Sequence, residues 1–318
     1  MNAASATLPR VLAAFVGLAI VLSGCAPTGS DSQEITPSEV AFPVLETYPD
    51  IRVIEDLAYG AGADDVLLDV CLPEVDAVAA ALTEPVARAA VVSVHGGSWR
   101  QGDKSNLYWR SVCQWLASEG FVAVSVNYRL APENPYPAAI DDVRQAVSWL
   151  REDAQVARFE IDPARIGAFG GSAGGNLVAL LGLEGTGSVA AGTRVAAVVN
   201  LSGPVDLTTD GFSLGGVVPT FRQVQLDYLG CASYSDCPQA RPASPLYDVD
   251  PSDPPFFVGH SLDEMIPVQQ SDALVEALRE AGVDTTYLTL EGTMHSIAML
   301  DDPMRTRIAQ WLREKLEA

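Results

Sequence analysis

Short, almost wholly apolar runs alternate with stretches whose apolar residues recur every three or four positions, from about residue 66 to the C-terminus. The first pattern suits strands covered on both faces, and the second suits helices with one buried stripe. Val66 to Cys71, Ala89 to Val94, Phe121 to Val126, Arg165 to Phe169, Val195 to Leu201, Pro255 to Gly259 and Thr285 to Leu290 are the predicted strands. Between them, Tyr108, Val112, Trp115 and Leu116 share one side of a helix that stops at Gly120, and Ile140, Val143, Val147 and Leu150 mark a second. Leu274 and Leu278 before Gly282, then Ile308, Trp311 and Leu312, repeat the period. The alternation predicts an α/β fold with a mostly parallel central sheet and helices on both faces. Asp206 to Asp250 breaks the rhythm, being too long and too polar for a simple connection, and reads as a small cap or lid insertion. Its Leu214, Val217, Val218 and Phe221 are expected to wall a modest pocket.

The first 45 residues follow neither pattern. Arg10 precedes a stretch of apolar and small residues, Val11 to Leu22, that is too short to span a membrane and suits the hydrophobic part of an export signal. Leu22-Ser23-Gly24-Cys25 resembles the lipobox of bacterial lipoproteins, which implies removal of residues 1–24 and a diacylglyceryl group on Cys25. Residues 25–45, rich in Ser, Thr, Pro and acids, then act as a tether, and 46–318 form the domain. The expectation is an exported protein held by its lipid on the extracytoplasmic face of a membrane.

Charge narrows the partners. Lys and Arg number 19 against 41 Asp and Glu, a net charge of -22, so a phosphate backbone is repelled and no nucleic-acid partner is expected. Three histidines, no Cys-x-x-Cys pair and no Gly-Lys dipeptide leave no material for a zinc centre or a P-loop, so neither metal nor cofactor is expected. Export would place the four cysteines after Cys25 in an oxidising space, where an even number favours disulfides. Cys231 and Cys237 flank a short polar loop and are the expected pair. For Cys71 and Cys113, a second bridge and buried thiols stand as equal alternatives.

The candidate chemistry centres on Gly170-Gly171-Ser172-Ala173-Gly174, which joins the predicted strand ending at Phe169 to a helical pattern of Leu177, Val178, Leu180 and Leu181. A G-x-S-x-G turn in that setting holds its serine exposed on a sharp bend, and side chains at Gly170 or Gly174 would collide with neighbouring backbone. Upstream, His95-Gly96-Gly97-Ser98-Trp99 follows the strand Ala89 to Val94 and matches a loop that aims N–H groups at a developing oxyanion. Gly97, Ser98 and Ala173 are the expected donors, with His95 and Gly96 supporting the loop. A general base must follow Ser172, and His295, in the turn Glu291 to Ser296, is the candidate; His260, at the end of a strand, is the alternative. Asp263 follows the strand Pro255 to Gly259 and is the expected acid, with Glu264, Asp301 and Asp302 as rivals.

With these residues in place the chain resembles the α/β-hydrolase carboxylesterases, near the branch shared by hormone-sensitive-lipase-like esterases, acetyl-xylan and feruloyl esterases and kynurenine formamidases. The likeness spans nearly all of residues 60 to 315. It rests on His95 to Trp99 with Gly102-Asp103-Lys104, on Asn127-Tyr128-Arg129-Leu130-Ala131-Pro132, on the serine turn, on Asp263-x-x-Ile266-Pro267 and on Gly292-x-x-His295. The resemblance implies Ser172 as nucleophile, Asp263 as acid and His295 as base, acting on a small-molecule ester through an acyl-enzyme. Two positions depart from the hormone-sensitive-lipase group: Ser98 replaces a third glycine, and Gly171 replaces an acid. A peptidase or amidase on the same triad, and a non-catalytic ligand-binding lipoprotein, are the alternative readings.

Overall fold

The computed structural model describes residues 45–60, 66–74 and 87–316, all within the compact unit Val40–Ala318. The expected export signal, Cys25 and nearly all of the expected tether lie outside the described residues. Eight strands form one sheet: β1 (Arg52–Ala58), β2 (Leu67–Leu72), β3 (Arg88–Val94), β4 (Val122–Val126), β5 (Ile161–Gly171), β6 (Ala197–Leu201), β7 (Phe256–Ser261) and β8 (Thr285–Leu290). Their order is β1-β2-β4-β3-β5-β6-β7-β8. β2 runs antiparallel to both β1 and β4, and the pairings from β4 through β8 are all parallel. The expected fold class therefore holds. β1 was not among the predicted strands because it is a half-exposed edge carrying Arg52, Glu55 and Asp56, with a register shift between Ile54 and Leu57.

Among the described residues seven α-helices accompany the sheet: α1 (Leu107–Ser118), α2 (Ala138–Leu150), α3 (Asp153–Phe159), α4 (Ala173–Leu183), α5 (Pro219–Leu229), α6 (Val268–Glu280) and α7 (Asp302–Leu316). Consecutive strand residues go to opposite faces, as the pleat requires. Val92, Val124, Ala168 and Val198 pack with α2, α4 and α6, whereas Val91, Ala123, Phe169 and Val199 pack with α1 and α7. This two-sided burial is why the strands read as continuous apolar runs. Along its whole length α4 is buried, and a side chain at Gly182 would come within 2.5 Å of Val198. A disulfide from Cys71 on β2 to Cys113 on α1, with Cα atoms 5.9 Å apart, closes the open alternative in favour of a bridge.

Residues 206–250 hold three short helical turns and α5, which starts on Pro219 and ends at Gly230 in the left-handed conformation that glycine adopts without penalty. Cys231 and Cys237 are bridged just beyond it, Cα atoms 5.4 Å apart. Tyr228 of α5 stacks on Trp99 with ring centroids 4.3 Å apart and planes within 6°. The insertion is thereby tied to the loop after β3.

Candidate active site

The parallel strands end together. Register pairs Val94 with Gly170, Gly171 with Leu201, and Ser261 with Leu290, so the residues that follow β3, β5, β6, β7 and β8 converge on one edge of the sheet. Ser172 stands at the exit of β5, with φ 58° and ψ -124°, at the N-terminus of α4. Its N–H donates to Leu201 O at 2.9 Å. The glycines around it are sterically required. A Cβ at Gly170 would lie 2.3 Å from Gly174 O, and one at Gly174 would lie 2.1 Å from Val94 O. The chain can turn this tightly only without those side chains, and the helix end beneath favours negative charge at Ser172.

The loop after β3 presses against the serine from the other side. Gly96 sits so close that an added Cβ would be 2.8 Å from Gly171 O and 3.2 Å from Ser172 Cβ. Gly97, Ser98 and Trp99 all have positive φ, a tight coil closed by Arg100 and Gln101 N–H groups donating to Gly97 O. In this coil neither the Gly97 nor the Ser98 N–H is spent on a turn hydrogen bond, and Ala173 N–H lies in the unpaired first turn of α4. His95 is a supporting residue: it is buried, stacks on Tyr128 at 4.3 Å, and its Nδ1 is 2.8 Å from Gly96 O. Burial holds its pKa down at about 4, so it stays neutral. Tyr128 donates to His95 O at 2.9 Å, and Arg129 forks onto Asp142. Behind the loop, buried Lys104 pairs with Asp56 at 2.7 Å and Asp69 at 2.8 Å, while its N–H donates to Asn127.

His295 enters from the loop after β8 and shares with Ser172, Gly97 and Ser98 the wall of a cavity of about 610 Å³. Among the described residues no hydrogen bond joins the Ser172 hydroxyl to His295; such bonds commonly tighten only when substrate is bound. Glu264, not Asp263, is the carboxylate that reaches His295: its Oε2 accepts from His295 Nδ1 in a short contact, with the Glu264 side chain fully buried. Leu262 and Asp263 N–H groups donate to Leu290 O and Gly292 O, fixing the turn after β7 so that Asp263 is exposed and its successor points inward. Burial raises the Glu264 carboxyl's pKa, but hydrogen bonding and charge from His260 and His295 outweigh it and hold it at about 2. Asp301 caps α7 through Met304 N–H, and Asp302 is exposed, so neither rival contacts His295.

Three features were missed at the sequence level. Ser202, buried with φ 55°, accepts the Ser296 N–H at 3.2 Å and so supports the residue next to His295. Ser296 in turn fills the space above Gly171, where a Cβ would meet its Oγ at 2.0 Å. Only the unusual Leu-Ser-Gly-Pro end of β6 hinted at the first. Finally, no residue of 206–250 lines the cavity: Val217 and Phe221 are buried in the core and Val218 is exposed, so these are not its walls. Trp109, Met265, Ile297 and Ala298 supply the apolar lining instead.

Esterase LipQ of Mycobacterium tuberculosis is 33% identical over 253 residues, covering 76% of this chain and 56% of the relative. A probable carboxylic ester hydrolase of the same organism, LipM, is 31% identical over 270 residues, covering 81% and 59%. The chain thus spans a little over half the length of these curated relatives. A truncated carbohydrate esterase from gut microbiota superposes with a TM-score of 0.70 at 22% identity, covering 89% of this chain and 99% of that one. An esterase/lipase from an uncultured bacterium gives 0.64 at 21%, covering 86% and 87%. The fold is the α/β-hydrolase fold. The BD-FAE family model matches residues 76–278, nearly two-thirds of the 318 residues, and the chain belongs to that family.

Proposed function

We propose that this protein is a serine carboxylesterase acting on small or short-acyl esters through an acyl-enzyme. One observation carries the reading: a serine on a strand-to-helix bend, a histidine backed by a buried carboxylate, and a coil with free N–H groups all border one cavity. Relatives named as esterases support it. The Ser172 oxygen attacks the ester carbonyl carbon while its proton passes to His295 Nε2. Glu264 holds the opposite nitrogen, Nδ1, protonated and stabilises the imidazolium. The carbonyl oxygen becomes an alkoxide facing the N–H groups of Gly97, Ser98 and Ala173, each such donor being worth about 10²-fold or more in turnover. His295 returns the proton to the leaving alcohol, and water then repeats the sequence on the acyl-Ser172. No cofactor enters these steps.

A half-open cavity of this size with Trp109, Ile297 and Ala298 along it suits a short acyl chain. Cys25, by its lipobox, anchors the domain to a membrane; Cys25→Ser should then release the protein in soluble form, and a variant still membrane-bound at high salt refutes the anchor. For the chemistry, a fluorophosphonate probe should label Ser172, with Ser172→Ala unlabelled, and turnover should fall from acetyl and butyryl esters to long acyl chains. Absence of labelling, or an anilide cleaved as fast as the matching ester, would overturn the reading.

A further inference from the structure

Besides His95, which supports the loop after β3, the mechanism leaves a second buried histidine unused: His260, at the C-terminal end of β7 and wholly inaccessible to solvent. Both ring nitrogens are engaged. Nδ1 is 2.7 Å from the Ser271 hydroxyl of α6, and Nε2 is 2.8 Å from Ile266 O. A carbonyl only accepts, so Nε2 carries a proton and donates it across the turn that holds Glu264. The same Nε2 lies 2.9 Å from Glu264 Oε1. That oxygen is buried and shares the N–H with Ile266 O, which lies 2.8 Å from the same nitrogen. The carboxylate is therefore held between two imidazoles: Oε2 serves His295, and among the described residues the ion-pair partner of Oε1 is His260.

We infer that His260 is a positioning residue for the acid: it closes the turn over residues 260–266 and occupies the second carboxylate oxygen, which aims Glu264 Oε2 at His295. The inference rests on the esterase reading above. Without the imidazole, Oε1 would be a buried acceptor with nothing to face, and the carboxylate would rotate or take up a proton to satisfy it. Either change withdraws the negative charge from His295. His260 touches no substrate, so binding is left alone. Ser271 sets the ring from the far side, and through Nδ1 it contributes a neutral hydroxyl rather than a charge.

A double-mutant cycle tests this. His260→Phe should lower kcat for a p-nitrophenyl ester about 10- to 100-fold with KM within about twofold, and His260→Gln, whose amide can still donate where Nε2 does, should recover most of the loss. In the Glu264→Gln background, His260→Phe should cost less than about threefold more, because its route to the reaction has already been cut. Equal losses on both backgrounds, or full activity in folded His260→Phe, overturn the inference. If His260→Phe does not fold, Ser271→Ala takes its place in the cycle, with a smaller kcat loss that must likewise vanish in Glu264→Gln. Should Glu264→Gln itself be silent, the esterase mechanism fails instead; should it be crippling while the histidine effect is additive, only the role of His260 fails.

Discussion

Glu264→Gln keeps the volume of a fully buried side chain and removes one charge beside His295. During attack His295 becomes an imidazolium. Two opposite charges roughly 4 Å apart in a medium of effective dielectric about 20 attract by about 4 kcal/mol, which as a barrier is about 10³-fold in rate. The amide adds a second fault, since its NH₂ can donate to Nδ1 and leave the proton on Nε2, the nitrogen that must receive one from Ser172. Asp263→Asn is the matched control. Asp263 is exposed, and its structural contact is a backbone N–H to Gly292 O at 3.0 Å, which asparagine keeps, so kcat/KM should stay within about threefold.

The assay is kcat/KM on p-nitrophenyl acetate across roughly pH 5 to 9, with urea midpoints confirming that all three proteins are folded. A greater loss from Asp263→Asn than from Glu264→Gln would refute the geometric assignment. So would a Glu264→Gln protein within about tenfold of wild type.

Gly171→Ala should lose activity by about 10-fold or more, because its Cβ meets Ser296 Oγ at 2.0 Å beside His295, and Gly171→Ala with Ser296→Ala should recover part of it; a double variant no better than the single one refutes the clash. His95 is neutral when folded, with its pKa held near 4 against 6.5 unfolded, so the unfolded chain takes up the proton first as pH falls. Stability should therefore drop by about 3 kcal/mol between about pH 6.5 and 4, and His95→Gln should flatten that part of a urea-midpoint series; an unchanged slope counts against it. Replacing both Cys71 and Cys113 by Ala opens a loop of 42 residues and should cost about 4 kcal/mol, against about 2 for the six-residue Cys231–Cys237 loop; urea unfolding showing the reverse order refutes the loop-entropy argument.

Much of the sheet was readable from the sequence because burial on both faces leaves its central strands few polar positions. Thr285–Leu290 was bounded to the residue, and the other six predicted strands were displaced by at most a few positions. β1 escaped for the converse reason: on a solvated edge, Glu55 and Asp56 satisfy the backbone's surroundings as well as an apolar residue would, and the alternation is broken by a bulge. In residues 206–250, the break in the strand–helix rhythm was visible in length and polarity, but not the destination of the few apolar residues. A core and a pocket ask for the same side chains, and Val217 and Phe221 went to the core, with Phe221 against Trp99 at 6.4 Å.

The site divides along the same physical line. Gly170, Gly174 and Gly96 face collisions with backbone only a few residues away or on the adjoining strand end, so the glycines themselves announce the bend and the loop that abuts it. Nothing comparable separates Asp263 from Glu264. Both follow β7, both precede His295, and both are carboxylates; which one faces inward depends on the twist of a turn pinned by Leu290 O and Gly292 O, on a loop nearly thirty residues downstream. What the sequence does carry is His260 four positions before Glu264. A buried imidazole at the strand end needs a partner across its own turn, and the residue able to offer it a carboxylate at 2.9 Å while reaching His295 with its other oxygen is the longer acid. Chain order thus selects the strand that the acid follows, whereas the acid's side-chain length and the polar group beneath it select the residue.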